Sequence, residues 1–282
     1  MEYVLECKDV TKYYDGFTLD HVNFALPSGC IMGFIGENGA GKSTTIKLIL
    51  DLIRRDGGEI TVLGESTPKG TLSVKEDIGV VLDECCFPEI LTVKNVNAIM
   101  RGIYKNWDEP FFFQKVQEFS LPTKKRLKDF SKGMKMKLTI ACVLSHHSRL
   151  LIMDEPTSGL DPVVRDEILE SFLEFIQDEE HSILLSSHII SDLEKICDYI
   201  TLIHKGKILL CEQKDTLLER YGVLKGSAEE LKSMDSAAVI GTRTNQFGAE
   251  ALVLRDKVNG NHVIDPATIE DIMLFHIKGD AQ

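Results

Sequence analysis

Apolar residues follow two rhythms along this chain. Val22, Phe24 and Leu26 alternate with polar neighbours, the period of a half-buried strand. Residues 3–26 are therefore predicted to form antiparallel strands, closed by the turn Pro27-Ser28-Gly29. Short unbroken apolar runs at 30–35, 78–82, 150–153 and 183–185 read as buried strands. Between them the spacing becomes helical. Ile46, Ile49, Leu50 and Ile53 make one stripe, and Gly57-Gly58 closes that unit before a strand with Ile60 and Val62. Val93, Val96, Met100 and Ile103 share a face behind a Thr92 cap, and Phe112, Val116 and Phe119 share another. Ser131 caps a helix striped by Met134, Leu138, Ala141 and Ser145. Asp161-Pro162 opens one carrying Val164, Ile168, Phe172 and Phe175. A short helix and a hairpin around Lys205-Gly206 follow.

Strands alternating with helices predict an α/β fold. The helical stretch at about 84–136 reads as an insert between two strands of that sheet. After Tyr221 the pattern changes to strand-like pieces at 237–241 and 251–255 and a final helix from about Pro266, with Ile269, Ile272, Met273 and His276 on one face. The expected division is a main domain over 1–220 and a small α+β accessory subdomain over 222–282, whose deletion should leave the main domain's binding intact. Bulk properties agree: 282 residues, 43% hydrophobic and 27% charged, suffice for a sizeable core plus an appendage. The net charge of −12 does not favour nucleic acid. No uncharged apolar run reaches bilayer length, and Met1-Glu2-Tyr3 does not begin a secretory signal. Seven scattered cysteines without a C-x-x-C, including the adjacent Cys85-Cys86, suggest reduced thiols in a cytosol.

Chemistry enters at Gly36-Glu37-Asn38-Gly39-Ala40-Gly41-Lys42-Ser43-Thr44, which fits G-x-x-x-x-G-K-[ST] between a strand and a helix. Glycines let successive N–H groups turn inward on a polyphosphate, and the helix N-terminus adds its dipole. Lys42 would reach the β- and γ-phosphates and the Ser43 hydroxyl would ligate Mg²⁺. Asp154-Glu155 ends a buried strand. An aspartate there can hold Mg²⁺, and a neighbouring glutamate can polarise the attacking water. Tyr13-Tyr14, before the Asp15-Gly16 turn, could stack on adenine; from the bare residues, packing on the sheet is the better reading.

Taken together, residues 36–43, Phe130-Ser131-Lys132-Gly133-Met134, 153–161 and Ser186-Ser187-His188 resemble an ABC-type ATPase in order and spacing. The resemblance covers residues 1 to about 220. It implies a P-loop NTPase fold of the ABC ATPase type: a mixed-sheet core, an antiparallel β subdomain and a helical subdomain. It implies ATP and Mg²⁺ as ligands. Tyr14 becomes the adenine-stacking aromatic, with Tyr13 as the other choice; Glu155 resembles the general base and His188 the switch histidine at the γ-phosphate. Asp161 resembles the residue that communicates across a dimer, and Ser131 and Gly133 the segment that contacts the nucleotide of a second subunit. Two stretches depart from the family pattern. Asp83 replaces a glutamine at the site where Mg²⁺ or its water is held, so a carboxylate stands there. Lys132 and Met134 alter the usual Leu-Ser-Gly-Gly-Gln. The tail 267–275 is similar to ATPase subunits of ABC-2-type exporters, implying a cytoplasmic subunit at the membrane's inner face. Its partners would be a separate transmembrane permease and a second ATPase chain, identical or related. A soluble ABC ATPase acting on translation or DNA, and a nucleotide-gated module with little catalysis, are the alternatives. The single cassette without a long heptad insert counts against the first, and intact Lys42, Asp154, Glu155 and His188 against the second.

Overall fold

The structure, a computed structural model, describes residues 3–67, 72–82, 86–245, 248–258 and 262–279. Two long strands, β1 (Tyr3–Tyr14) and β2 (Phe17–Pro27), pair antiparallel as the alternation predicted. β3 (Ile31–Ile35) leads into the glycine loop and α1 (Lys42–Ile49). β4 (Gly57–Val62) and β5 (Glu65–Ser66) return to the first sheet, ordered β2-β1-β4-β5. After α2 (Leu72–Glu76) and β6 (Ile78–Val81) comes the insert: α3 (Val93–Ile103), α4 (Glu109–Glu118) and α5 (Lys132–Leu144). β7 (Leu150–Asp154), α6 (Pro162–Phe175), β8 (Ser182–Ser186), α7 (Ile190–Ile196), β9 (Tyr199–His204) and β10 (Lys207–Gln213) follow. The central sheet runs β10-β9-β3-β8-β7-β6, with β10 antiparallel to β9 and the other pairs parallel. α8 (Lys214–Arg220) then joins a third, antiparallel sheet. It is built from β11 (Tyr221–Gly226), β12 (Val239–Asn245), β13 (Gly248–Leu254) and β14 (Ile264–Pro266), with α9 (Ala228–Lys232) and α10 (Ile269–Gly279).

The unbroken apolar runs are explained by what covers the central sheet. Met32, Phe34, Leu150, Ile152 and Leu184 face one core shared with the first sheet and α1. Ile31, Ile35, Leu151, Met153, Ile183 and Leu185 face the opposite core, shared with the insert and α6. Successive strand residues point to opposite faces, so a sheet buried twice needs an apolar residue at every position. This places the C-terminal ends of β3, β7 and β8 side by side, where open α/β sheets bind ligands.

Several expected boundaries shift. α1 stops at Ile49, and Ile53 lies outside it, because Asp51 takes a left-handed φ of 56°. Gly57-Gly58 accordingly open β4 rather than close a helix. In the insert the Thr92 cap is a full capping box with Asn95. Val93, Val96 and Met100 are buried, but Ile103 is 61% exposed. There the chain leaves the helix, and Tyr104 packs inward instead, its ring stacked on His146 at 4.0 Å. The strand expected from Ala237 starts at Val239, after a turn in which Ala238 N–H donates to the Asp235 carbonyl. The final helix begins at Ile269, behind Thr268, whose hydroxyl accepts from Asp271 N–H. Asp83 lies outside the described residues.

The C-terminal sheet has two unequal faces. Leu224, Leu231, Ala249, Ala251 and Val253 form a small core of their own. Tyr221, Val223, Leu252, Ala267, Ile272 and Phe275 instead join the same apolar cluster as the central sheet. α10 is further tied to α7 by a 2.8 Å hydrogen bond from Ile269 N–H to Glu194 Oε1. Among the described residues no helix is long and apolar enough to cross a membrane.

Candidate active site

The glycine loop is shaped by contacts that only glycine permits. A Cβ at Gly36 would sit 2.3 Å from the Ile203 carbonyl oxygen, and Gly41 takes φ 118°. The loop thus lies flat against the end of β9 and turns directly into α1. Lys42 is buried at 6% exposure, and its ammonium donates to the Gly36 carbonyl at 2.8 Å and the Glu37 carbonyl at 3.4 Å. Ala40 is buried, and its N–H donates to the Glu37 carbonyl at 3.0 Å. The Glu37 carboxylate turns to the buried His204, with Oε2 3.1 Å from Nδ1.

Asp154 and Glu155 divide as adjacent strand-end residues can. Asp154 Oδ1 accepts from the Ser186 hydroxyl across the β7–β8 pair. Glu155 then takes φ 54°, a left-handed conformation that costs a non-glycine side chain free energy. That turn swings its carboxylate toward the loop. Oε1 lies 3.8 Å from Lys42 Nζ, and Oε2 is hydrogen-bonded to His188 Nδ1. The chain order Lys42, Glu155, His188 is thereby folded into one cluster: a cation, a carboxylate and an imidazole.

An open cleft of about 600 Å³ lies over this cluster, lined by Phe17, Asn38, Gly39, Gly41, Lys42, Ser43, Thr44, Glu155, Ser158 and His188. Sequence reasoning missed Phe17 and Ser158. Phe17 follows the turn after Tyr14, the one local signal for it, and the two rings are 6.5 Å apart. Tyr14 is 45% exposed and Tyr13 62%. Ser131, Gly133 and Asp161 are absent from the lining among the described residues. The Ser131 hydroxyl caps α5 by accepting from Met134 N–H at 3.2 Å, and Asp161 caps α6 by accepting from Val164 N–H at 3.1 Å. The two helix starts abut, with Gly133 against Val164 and Gly159 against Lys132.

Behind His188, Asp192 of α7 is buried and accepts from the Thr157 hydroxyl. Burial pushes its carboxyl up from the usual range, against the pull of Thr157, Arg165 and His188. No group of three or more acidic, histidine or cysteine side chains suited to a metal occurs among the described residues.

A family model described as ABC transporter matches residues 19–158. The bacitracin transport ATP-binding protein BcrA of Bacillus licheniformis is 37% identical over 215 residues, covering 74% of this chain and 69% of that protein. The lantibiotic transport ATP-binding protein SrtF of Streptococcus pyogenes is 34% identical over 216 residues, covering 75% and 92%. A solved structure of an ATP binding subunit of an ABC transporter superposes with a TM-score of 0.68 at 30% identity, covering 76% of this chain and 91% of that one. The chain belongs to the ABC transporter family, as one of its ATP-binding and ATP-hydrolysing subunits.

Proposed function

We propose that this chain powers an ABC-2-type exporter by closing with a second ATPase subunit around ATP. The observation that carries this reading is the split site. Lys42, Glu155 and His188 meet in one cleft, while Ser131, Gly133 and Asp161 stand at helix starts outside its lining. Backbone N–H groups of residues 36–44 and the Lys42 ammonium would hold the phosphates, and Tyr14 beside Phe17 the adenine. Ser43 and Asp154 suit Mg²⁺. A hydroxyl and a carboxylate are hard oxygen donors, and this ion is commonly bound through one or two protein oxygens together with substrate phosphates. Asp83 would join them. The ion would offset charge on the phosphates; the protein's own part is to place a base. Glu155 accepts the proton of the attacking water, with His188 orienting its carboxylate. Ser131 and Gly133 of one subunit would complete the site of the other, with Asp161 at the junction.

The permease would be a separate chain docking on the helical subdomain at about 84–136, within an ATPase domain spanning 1–220. Ile90, Ile99 and Ile103 are exposed at 72%, 41% and 61%, and Leu52 at 59% lies outside the insert. Residues 222–282 form the accessory subdomain. The subunit would sit at the cytoplasmic face only through its permease. Relatives named for bacitracin and lantibiotic transport support export of an antibiotic-like compound. Affinity purification of the chain from detergent-solubilised membranes of its native cell tests this. A stoichiometric multi-span membrane protein should copurify, and its reproducible absence beside an ATP-active chain contradicts the exporter reading.

A further inference from the structure

The helix behind His188 makes a buried contact that the hydrolysis scheme leaves unused. Asp192 is 4% exposed, and its Oδ2 accepts a 2.8 Å hydrogen bond from the hydroxyl of Thr157, which is 1% exposed. Asp192 Oδ1 lies 3.8 Å from Arg165 Nη1, and Arg165 Nη2 reaches the Leu160 carbonyl at 3.5 Å. One carboxylate therefore holds both ends of the loop 157–160, at Thr157 directly and at Leu160 through Arg165. Lys195 pairs with Asp166, joining α7 to α6 a second time. Burying a carboxylate costs free energy unless its lone pairs are filled and its charge is balanced. Here the Thr157 hydroxyl fills one lone pair and the Arg165 guanidinium at 3.8 Å offsets part of the charge, so the burial cost is met only in part. The tethered loop matters because of its neighbours: Ser158 lines the nucleotide cleft, Asp161 starts α6, and Glu155 and His188 flank the arrangement in sequence.

We propose that Asp192 is a positioning residue for ATP hydrolysis, locking the loop 157–161 to α7. It holds the Glu155–His188 pair and the loop that bears Ser158 and Asp161 at one spacing. It acts through Thr157 and Arg165 and touches no nucleotide. The inference rests on Glu155 and His188 carrying the chemistry.

The test is steady-state phosphate release by the full chain. Asp192→Asn and Thr157→Val should each lower kcat roughly tenfold while KM for ATP stays within about twofold, the mark of an interaction felt after binding. The double variant should be no worse than the poorer single one, because both break the same tether. Thr157→Ser, which keeps the hydroxyl, should restore most of what Thr157→Val loses. Thermal unfolding is followed alongside. If Asp192→Asn does not fold, the Thr157 pair decides the question. A kcat within about twofold of wild type in Thr157→Val, a loss confined to KM, or losses that multiply in the double variant overturns the proposal. Glu155→Gln assayed in parallel separates the failures. An inactive Glu155→Gln beside a normal Thr157→Val removes only the tether, whereas an active Glu155→Gln removes the scheme beneath it.

Discussion

The two regions proposed to face ATP are built differently. Around the glycine loop the functional groups touch one another: Lys42 reaches Glu155, and Glu155 reaches His188. They come from three parallel strands that are neighbours in the sheet, so their C-terminal ends converge. The segment bearing Ser131 and Gly133 stands apart from this cluster, against the start of α6. Ser131 begins α5, the last helix of an insert between β6 and β7, and its hydroxyl is engaged with its own helix. Gly133 packs on Val164 at the start of α6. Both regions obey ordinary local rules, a glycine turn in one and a serine N-cap in the other. Their separation supports the proposal that one chain supplies the base and the phosphate cradle and a second chain the facing half.

The largest effect that would sharpen this contrast is on the cleft itself. Glu155→Gln should slow hydrolysis by roughly 10²- to 10⁴-fold while ATP still binds, since the amide keeps the shape and loses the base. Fluorescent-nucleotide binding and phosphate release measure the two, and wild-type turnover would remove Glu155 from its role. The contrast itself is probed by mixing Lys42→Ala with Ser131→Arg protein, each inactive alone. In a mixed dimer one composite site carries both lesions and the other neither. Activity should return toward roughly a quarter of the wild-type value for random pairing of independent sites; none at any mixing ratio would favour a single-chain site or two sites that must fire together.

A smaller effect is expected at the tail. Truncation after Arg220 should leave ATP affinity within about threefold, because among the described residues none beyond it lines the cleft. It also uncovers the face where Tyr221, Val223, Leu252 and Phe275 join the main apolar cluster, so the thermal midpoint should drop by several degrees at least. Loss of ATP binding in a folded truncation would make the tail part of the catalytic core.

The difference between the halves also explains what the sequence could show. The glycine loop, the buried strands and the caps at Thr92, Ser131 and Asp161 are local, and each was legible in a few residues. Contacts of long range were not. Asp192 sits on a short amphipathic helix and looks like a solvated charge until Thr157, 35 residues away, is seen to bond it. Phe17 has no motif of its own and is brought to the cleft only by the β1–β2 turn. The shared core of the tail was equally hidden, since alternation in β11 and β13 shows that a face is buried, not against what. Ile103 fits the helical stripe, yet the helix ends beneath it and Tyr104 takes the inward place.

The central claim is that one chain holds half of each site, and sedimentation velocity of Glu155→Gln measures it most directly. At micromolar protein with ATP and Mg²⁺, the account predicts a shift from monomer to dimer that is lost when Ser131→Arg is added to the same chain. A species that binds ATP yet sediments as a monomer, alone and beside its copurified membrane partner, would contradict it.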